Sequence, residues 1–326
     1  MTVPLHRRNT APPPRIRQQM FWQLLGRLSS PRRLKDLGKL DKAVRGKVVV
    51  VTGASYGLGE AIAKQCGEAG AIVVICARSA DKLAEVAESI RSKGGQVHTH
   101  VVDIADEESV REFARDVLRE HGHVDVLVHN AGKSMNRALH LSYRRPKDLN
   151  AIAGVNYLGP IRLTMALMPY MRGRGSGHII NISTAGSLMW PFPRWGFYLS
   201  TKKAFEWWLR SAATEVRGDG VDCTQYYLGH VYTRMSAPDR MLRGVPGLTA
   251  YDAALGVSRS IVHRPRAAAW RPFYVMHPIL ELVRFPLERV AAPYSRIRET
   301  RESLLGAVPE TTLVLEDEPQ RDDQVS

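Results

Sequence analysis

From Gly46 onward, short β-branched runs alternate with stretches of helical periodicity, and nothing else in the chain restricts its fold as much. Runs such as Val48 to Val51 are apolar at every position, so neither face of the strand can meet water. Such strands belong in a parallel sheet with crossover helices packed on both faces. The pattern predicts strands at Lys47–Thr52, Ile72–Ala77, Val97–Asp103, Val124–His129, His178–Ser183 and Val221–Tyr227. Helices are predicted at Leu58–Glu68, Asp81–Lys93, Glu107–His121, Ile161–Met171 and Tyr198–Arg217. The expected architecture is α/β, a doubly wound parallel sheet in one domain over residues 46–265.

On either side the alternation is missing. Residues 1–45 are rich in arginine, lysine and proline, with Pro12-Pro13-Pro14 barring helix and an amphipathic candidate from Ile16 to Leu28. A flexible extension is expected there, and its Phe21, Trp22, Leu24, Leu25 and Leu28 beside Arg27, Arg32 and Arg33 would suit peripheral contact with the inner face of a membrane. Residues 266–326 carry Pro272, Pro278, Pro286 and Pro293 around an amphipathic stretch expected to form a helix kinked at Pro286, then an acidic tail from Glu310 expected to lack order. No run reaches the roughly 20 apolar residues of a membrane-spanning helix. Met20 to Leu25 is too short, and too soon followed by Arg27, for an export signal. Cys66, Cys76 and Cys223 stand far apart in core-like segments, which points to reduced thiols and a cytoplasmic setting. The net charge of +14 suits anionic lipid, an acidic partner or a phosphorylated ligand alike; with no nucleic-acid reading motif beside it, nucleic acid is not expected as a partner.

The first strand runs into Thr52-Gly53-Ala54-Ser55-Tyr56-Gly57-Leu58-Gly59 directly before a helix. Glycines there let the backbone turn tightly and bring N–H groups against a pyrophosphate at the helix N-terminus, as in a Rossmann-like dinucleotide cradle. The second strand ends near Cys76-Ala77, where folds that prefer NAD place an acidic residue on the ribose. Arg78 follows instead, and its guanidinium can pair with a 2′-phosphate, so NADP(H) is the expected cofactor.

Over about Gly46 to Thr233 the chain resembles the short-chain dehydrogenase/reductase family in motif order and interval. The resemblance implies that Asp103 and Ile104 contact the adenine ring. It also implies that Asn130, Ala131 and Gly132 belong to the family's Asn-Asn-Ala-Gly motif, with His129 in place of its first asparagine. Asn156 stands where the family keeps an asparagine that supports a proton-relay water. Tyr198 and Lys202 are four apart on a helix and share one face. A free tyrosine titrates at about 10, and a neighbouring ammonium favours the phenolate. Tyr198 is therefore expected to exchange a proton with the substrate oxygen, and Lys202 also to hold the nicotinamide ribose. At the end of strand five the family reads Ser-Ser-x-x-Gly and this chain reads Ser183-Thr184-Ala185-Gly186. The hydroxyl that polarises the substrate is Ser183 or Thr184, and strand register leans to Thr184. Leu228-Gly229-His230-Val231-Tyr232-Thr233 is similar to the family's Pro-Gly-x-Val-x-Thr, which implies that Gly229, Val231 and Thr233 hold the carboxamide. No metal site is expected.

Met235, Met241, Leu242, Val245 and Leu248 fall where the family covers its substrate, and they suit a hydrophobic ligand. Arg137 to Tyr143 and Ile261 to Arg266 resemble the bacterial fatty acyl-CoA reductases of the family, which implies a fatty acyl-CoA or fatty aldehyde as substrate. A steroid or a long-chain ketone or alcohol fits the same composition. A protein of another class, binding NADP(H) for regulation or at a membrane without turnover, would have lost a catalytic group, yet Asn156, Tyr198 and Lys202 all stand. The family's habit implies a homodimer or homotetramer formed through the helices of Asn156 and Tyr198, where Trp207 and Trp208 are available.

Overall fold

A computed structural model describes residues 25–143, 145–189, 192–236, 245–283 and 285–290. Its middle layer is a parallel sheet of seven strands: β1 Val48–Thr52, β2 Ile72–Ala77, β3 Gln96–Val101, β4 Val126–His129, β5 Gly177–Thr184, β6 Val221–Leu228 and β7 Ala267–Ala268. Their order is β3-β2-β1-β4-β5-β6-β7, so the chain reverses direction across the sheet between β1 and β4. A doubly wound sheet opens its binding crevice at that switch point, outside the C-terminal strand ends.

The all-valine run of β1 behaves as its composition demands. Val49 and Val51 pack into one layer with α1 Gly38–Val44, α2 Gly57–Glu68, α3 Ala80–Arg91 and α8 Ala250–His263. Val48 and Val50 pack into the other with α4 Glu107–His121, α6 Gly159–Gly173 and α7 Gly196–Val216. Each buried aliphatic side chain contributes about 1.5–3 kcal/mol relative to exposure, which is why both layers are needed. Two further helices are α5 Pro146–Ala153 and α9 Phe273–Leu282.

The strands keep the predicted order with shifted ends. β3 stops at Val101, short of Asp103, and β4 starts at Val126 because the Asp125 carboxylate takes the Val48 N–H, at 2.8 Å. α5, α8 and β7 were not predicted. For α8 the signal was present: Thr249 Oγ1 accepts the Asp252 N–H at 3.0 Å, an N-cap of ordinary kind.

Residue 45 is not the edge of the packed unit, contrary to the expected flexible extension. Leu34, Leu40 and Val44 are buried in the same layer as α2 and α8, Leu34 N–H donates to Leu255 O at 2.9 Å, and Arg27 and Arg33 both pair with buried Asp252 at 3.0 and 2.5 Å. Phe21, Trp22 and Leu24 lie outside the described residues, as do Pro293, the tail from Glu310, Met241 and Leu242. Pro286 kinks no continuous helix. It sits at the start of a separate helical segment at 285–290, where a missing N–H costs nothing, while Pro278 is the proline inside α9. No described helix is long and apolar enough to cross a membrane. All three cysteines are free, and burial pushes the Cys66 and Cys76 thiols up to about 12.

Candidate active site

The glycine turn at the end of β1 is held from behind. Gly53 and Gly57 sit at φ of +67° and +65°, where a side chain is strained. A Cβ on Gly59 would stand 2.4 Å from Asn130 Nδ2. Thr52 Oγ1 accepts the N–H groups of Asn130 and Ala131 at 3.1 and 3.0 Å. Asn130 Nδ2 in return donates to the carbonyls of Thr52 and Gly53 at 2.9 and 3.0 Å. Asn130 thus shapes the turn. Tyr56, at the N-cap of α2, makes no side-chain cap hydrogen bond, as at most of the described helices. The first-turn N–H donors of α2 therefore lack a side-chain acceptor, which is what a pyrophosphate requires. The cradle fits a dinucleotide. Ser55 and Leu58 are buried beneath it and Tyr56 is exposed, with the Arg234 guanidinium 5.6 Å over the Tyr56 ring. The Thr233 methyl lies 3.3 Å from where a Cβ on Gly57 would be, so the segment after β6 touches the turn directly.

At the adenine end, Arg78 is exposed and makes no hydrogen bond or ion pair among the described residues. Asp103 caps its own loop, accepting the Ala105 N–H at 3.0 Å, and Ile104 beside it is buried.

The period of two along β5 turns the two candidate hydroxyls to opposite faces. Ser183 faces inward, its Oγ 3.4 Å from Ser187 Oγ and 3.5 Å from Glu206 Oε2. Thr184 lies on the side of the Tyr198 phenol, where its hydroxyl favours the phenolate, and its Oγ1 accepts the Gly186 N–H at 3.2 Å. Burial pushes the phenol's pKa up, and the nearby Thr184 hydroxyl offsets part of that rise. The ammonium of Lys202, expected from the sequence to supply that lowering, does not enter the balance. It is turned to Ile182 O, at 3.0 Å, beside Gly132 and Asn156 Oδ1, and burial brings its pKa down to about 8. Asn156 lies in a π-helical turn, Gly154–Leu158, of the kind that recurs at functional sites. Its Oδ1 accepts the Lys133 N–H at 2.8 Å, and its Nδ2 donates to Lys133 O and Thr201 Oγ1 at 2.9 and 3.2 Å. The side chain is a clamp joining the strand-four loop to α7.

Two buried groups here were not anticipated. Glu206, four residues beyond Lys202 on the same face of α7, is wholly buried. It accepts from Tyr227 at 2.7 Å and from Ser187 at 3.1 Å, with Lys203 Nζ at 3.4 Å. Because Ser187 Oγ also touches Thr184 O at 2.8 Å, this carboxylate anchors the turn Ala185–Leu188 that carries Thr184. His129 places Nε2 2.7 Å from Thr164 Oγ1. That hydroxyl gives its proton to Pro160 O, so the imidazole donates through Nε2. Burial and then the charge of Lys202 bring its pKa down to about 3, so it stays neutral. Leu228, in the place of the family's proline, continues β6 opposite Thr184, Gly229 packs against Ser30, and Val231 pairs with Leu248. A cleft of about 380 Å³ lined by Gly186, Met189, Phe192, Leu199 and Leu280 opens on the outer side of the Thr184 turn.

Residues 47–242 match the model of the short chain dehydrogenase family. An uncharacterised oxidoreductase of Mycobacterium tuberculosis is 39% identical over 71% of this chain and 68% of its own length. A fatty acyl-CoA reductase of Acinetobacter baylyi is 37% identical over 69% of this chain and 76% of its own. Among solved structures, a metagenomic short-chain oxidoreductase in complex with NADP superposes with a TM-score of 0.59 at 32% identity, covering 68% of this chain and 93% of the other.

Proposed function

The chain belongs to the short chain dehydrogenase family and is an oxidoreductase that works with a nicotinamide dinucleotide; on that premise we propose that it uses NADPH to reduce the carbonyl of a long-chain fatty acyl thioester or fatty aldehyde. The similarity to the Acinetobacter baylyi fatty acyl-CoA reductase carries the substrate class. Exposed Leu139, Leu141 and Tyr143, on the segment that follows the C-terminal end of β4, are consistent with an apolar acyl chain. For the cofactor, the support is exposed Arg78 with no carboxylate beside it at the end of β2.

Bound in the cradle, the dinucleotide supplies a hydride to the carbonyl carbon. Thr184 donates a hydrogen bond to the carbonyl oxygen, and Tyr198, kept protonated at neutral pH by burial, delivers its proton there as negative charge develops. Lys202, titrating at about 8, is charged at neutral pH and offers its N–H groups to ribose hydroxyls. Asn156 holds α7 in register by its grip on Lys133 and Thr201. Arg78 takes the 2′-phosphate. With the proton from Tyr198 on its oxygen, a thioester carbonyl becomes a hemithioacetal that expels the thiol and leaves an aldehyde. Two copies are proposed to pair through α6 and α7, where Met165, Tyr170 and Trp207 stand exposed while Trp208 packs into the core.

A screen of NADPH oxidation against long-chain acyl-CoAs, fatty aldehydes and steroid ketones tests this. Turnover is expected on the first two; turnover confined to steroid ketones, or cofactor binding without turnover of any, overturns it.

A further inference from the structure

β3 is an edge strand with a single neighbour, and it carries His98 and His100 two residues apart, on the face that meets α4. Glu120 and His121 close α4 opposite them. Three imidazoles converge there on one oxygen: His98 Nδ1, His100 Nε2 and His121 Nε2 lie 3.6, 3.8 and 3.8 Å from Glu120 Oε2. Those separations are too long for hydrogen bonds. The ligand atoms of His98, Glu120 and His121 all fall within 4.8 Å of one another.

The second observation is independent of that clustering. His100 Nε2 and His121 Nε2 are sealed from solvent, on side chains 14% and 8% exposed, and neither has a hydrogen-bond partner among the described residues. Buried polar atoms are almost always satisfied. His123, nearby in sequence, is already engaged with Asp125 at 3.2 Å and stands apart from the set. Nitrogens left bare around a carboxylate oxygen call for a cation that accepts several lone pairs at once.

We propose that His98, His100, Glu120 and His121 form a binding site for a divalent transition metal of the zinc class. Tetrahedral zinc with bonds of about 2.0–2.1 Å needs the donors drawn in from where they stand, His100 the most, since it lies outside the set of three that falls within 4.8 Å, and side chains at a helix end and a sheet edge have the rotamer freedom for that movement. Imidazole and carboxylate donors suit zinc, nickel and copper over magnesium or calcium. β2, β1 and β4 stand between this site and β5 with Thr184, so the metal would be structural, pinning the edge strand to α4.

The test uses the full chain, free of any affinity tag and stripped with chelator, titrated with Zn²⁺ and with Co²⁺. One equivalent of zinc is expected to bind, Co²⁺ to give the intense visible bands of a tetrahedral N/O site, and the melting temperature to rise. His98→Gln, at an exposed position, and Glu120→Gln should each weaken zinc at least about tenfold and abolish its effect on melting, with NADPH turnover unchanged. A wild-type chain with no saturable zinc site in the micromolar range overturns the proposal. So does equal zinc affinity in wild type and His98→Gln.

Discussion

Glu206→Ala should destabilise the protein by about 3–5 kcal/mol, the usual consequence of removing one partner from a buried charged network. The magnitude follows from what the carboxylate holds. Tyr227 donates to it at 2.7 Å and Ser187 at 3.1 Å, both in the protein interior. Tyr227 left without an acceptor costs roughly 1–3 kcal/mol, Ser187 keeps only Thr184 O, at 2.8 Å, and Lys203 loses its counter-charge as well. In a domain of this size that lowers the melting temperature by on the order of 10 °C. Glu206→Gln keeps one acceptor oxygen and the volume, so its cost should be about 1–2 kcal/mol. Because Ser187 also contacts Thr184 O, loosening this anchor should lower kcat by roughly tenfold or more with little change in KM. Thermal unfolding of the three proteins, followed by steady-state NADPH oxidation, reads both effects. An alanine variant that melts with the wild type, or a glutamine variant as damaged as the alanine one, would refute the reasoning.

Arg78→Ala should weaken NADPH by roughly ten- to hundredfold, the worth of charge-assisted hydrogen bonds to a phosphate of about 1.5–3 kcal/mol, and leave NADH unchanged by fluorescence titration; equal losses for both would remove the 2′-phosphate role. His129 and His178 are each held neutral by burial, their pKa values brought down to about 3. Unfolded imidazoles titrate at about 6.5, so the stability they contribute is complete above that pH and drains as pH falls toward their folded values, by about 1.4 kcal/mol per unit for each. His129→Asn should therefore flatten the pH dependence of denaturant unfolding between about pH 6 and 4 by that amount, and parallel curves would contradict it. Deleting residues 1–45 removes Leu34, Leu40 and Val44 from the core at about 1.5–3 kcal/mol apiece. The shortened chain should be largely unfolded by circular dichroism, whereas a native spectrum and melting point would show that the segment is dispensable.

The sheet was legible because its strands are buried on both faces. Unbroken β-branched runs such as Val48 to Val51 admit few other uses, whereas the order of the strands across the sheet came only with the structure. The glycine turn was legible for the same reason, since Gly53 and Gly57 occupy backbone conformations that favour glycine. What sequence could not supply is direction. Lys202 shares a face with Tyr198 as the spacing of four requires, yet its ammonium turns to Ile182 O, which periodicity cannot foresee. Ser183 and Thr184 were nearly equivalent as letters and are separated only by the pleat. Glu206 was hidden by its type: a glutamate at an apolar-face position reads as solvated until Tyr227 and Ser187, brought by another strand and turn, are seen to meet it. The docking of residues 25–45 was missed because basic composition masked three well-spaced apolar side chains. The histidines of β3 and α4 stand about 20 residues apart in the chain, and only the crossover between strand and helix brings them together.

The reading as a working reductase rests on one phenol beside Thr184 delivering a proton. NADPH oxidation by the Tyr198→Phe variant, with cofactor affinity measured in parallel, tests it most directly. Turnover of long-chain acyl-CoA or fatty aldehyde should fall at least about a hundredfold while NADPH binds as in the wild type. A variant that reduces substrate at the wild-type rate would contradict the account.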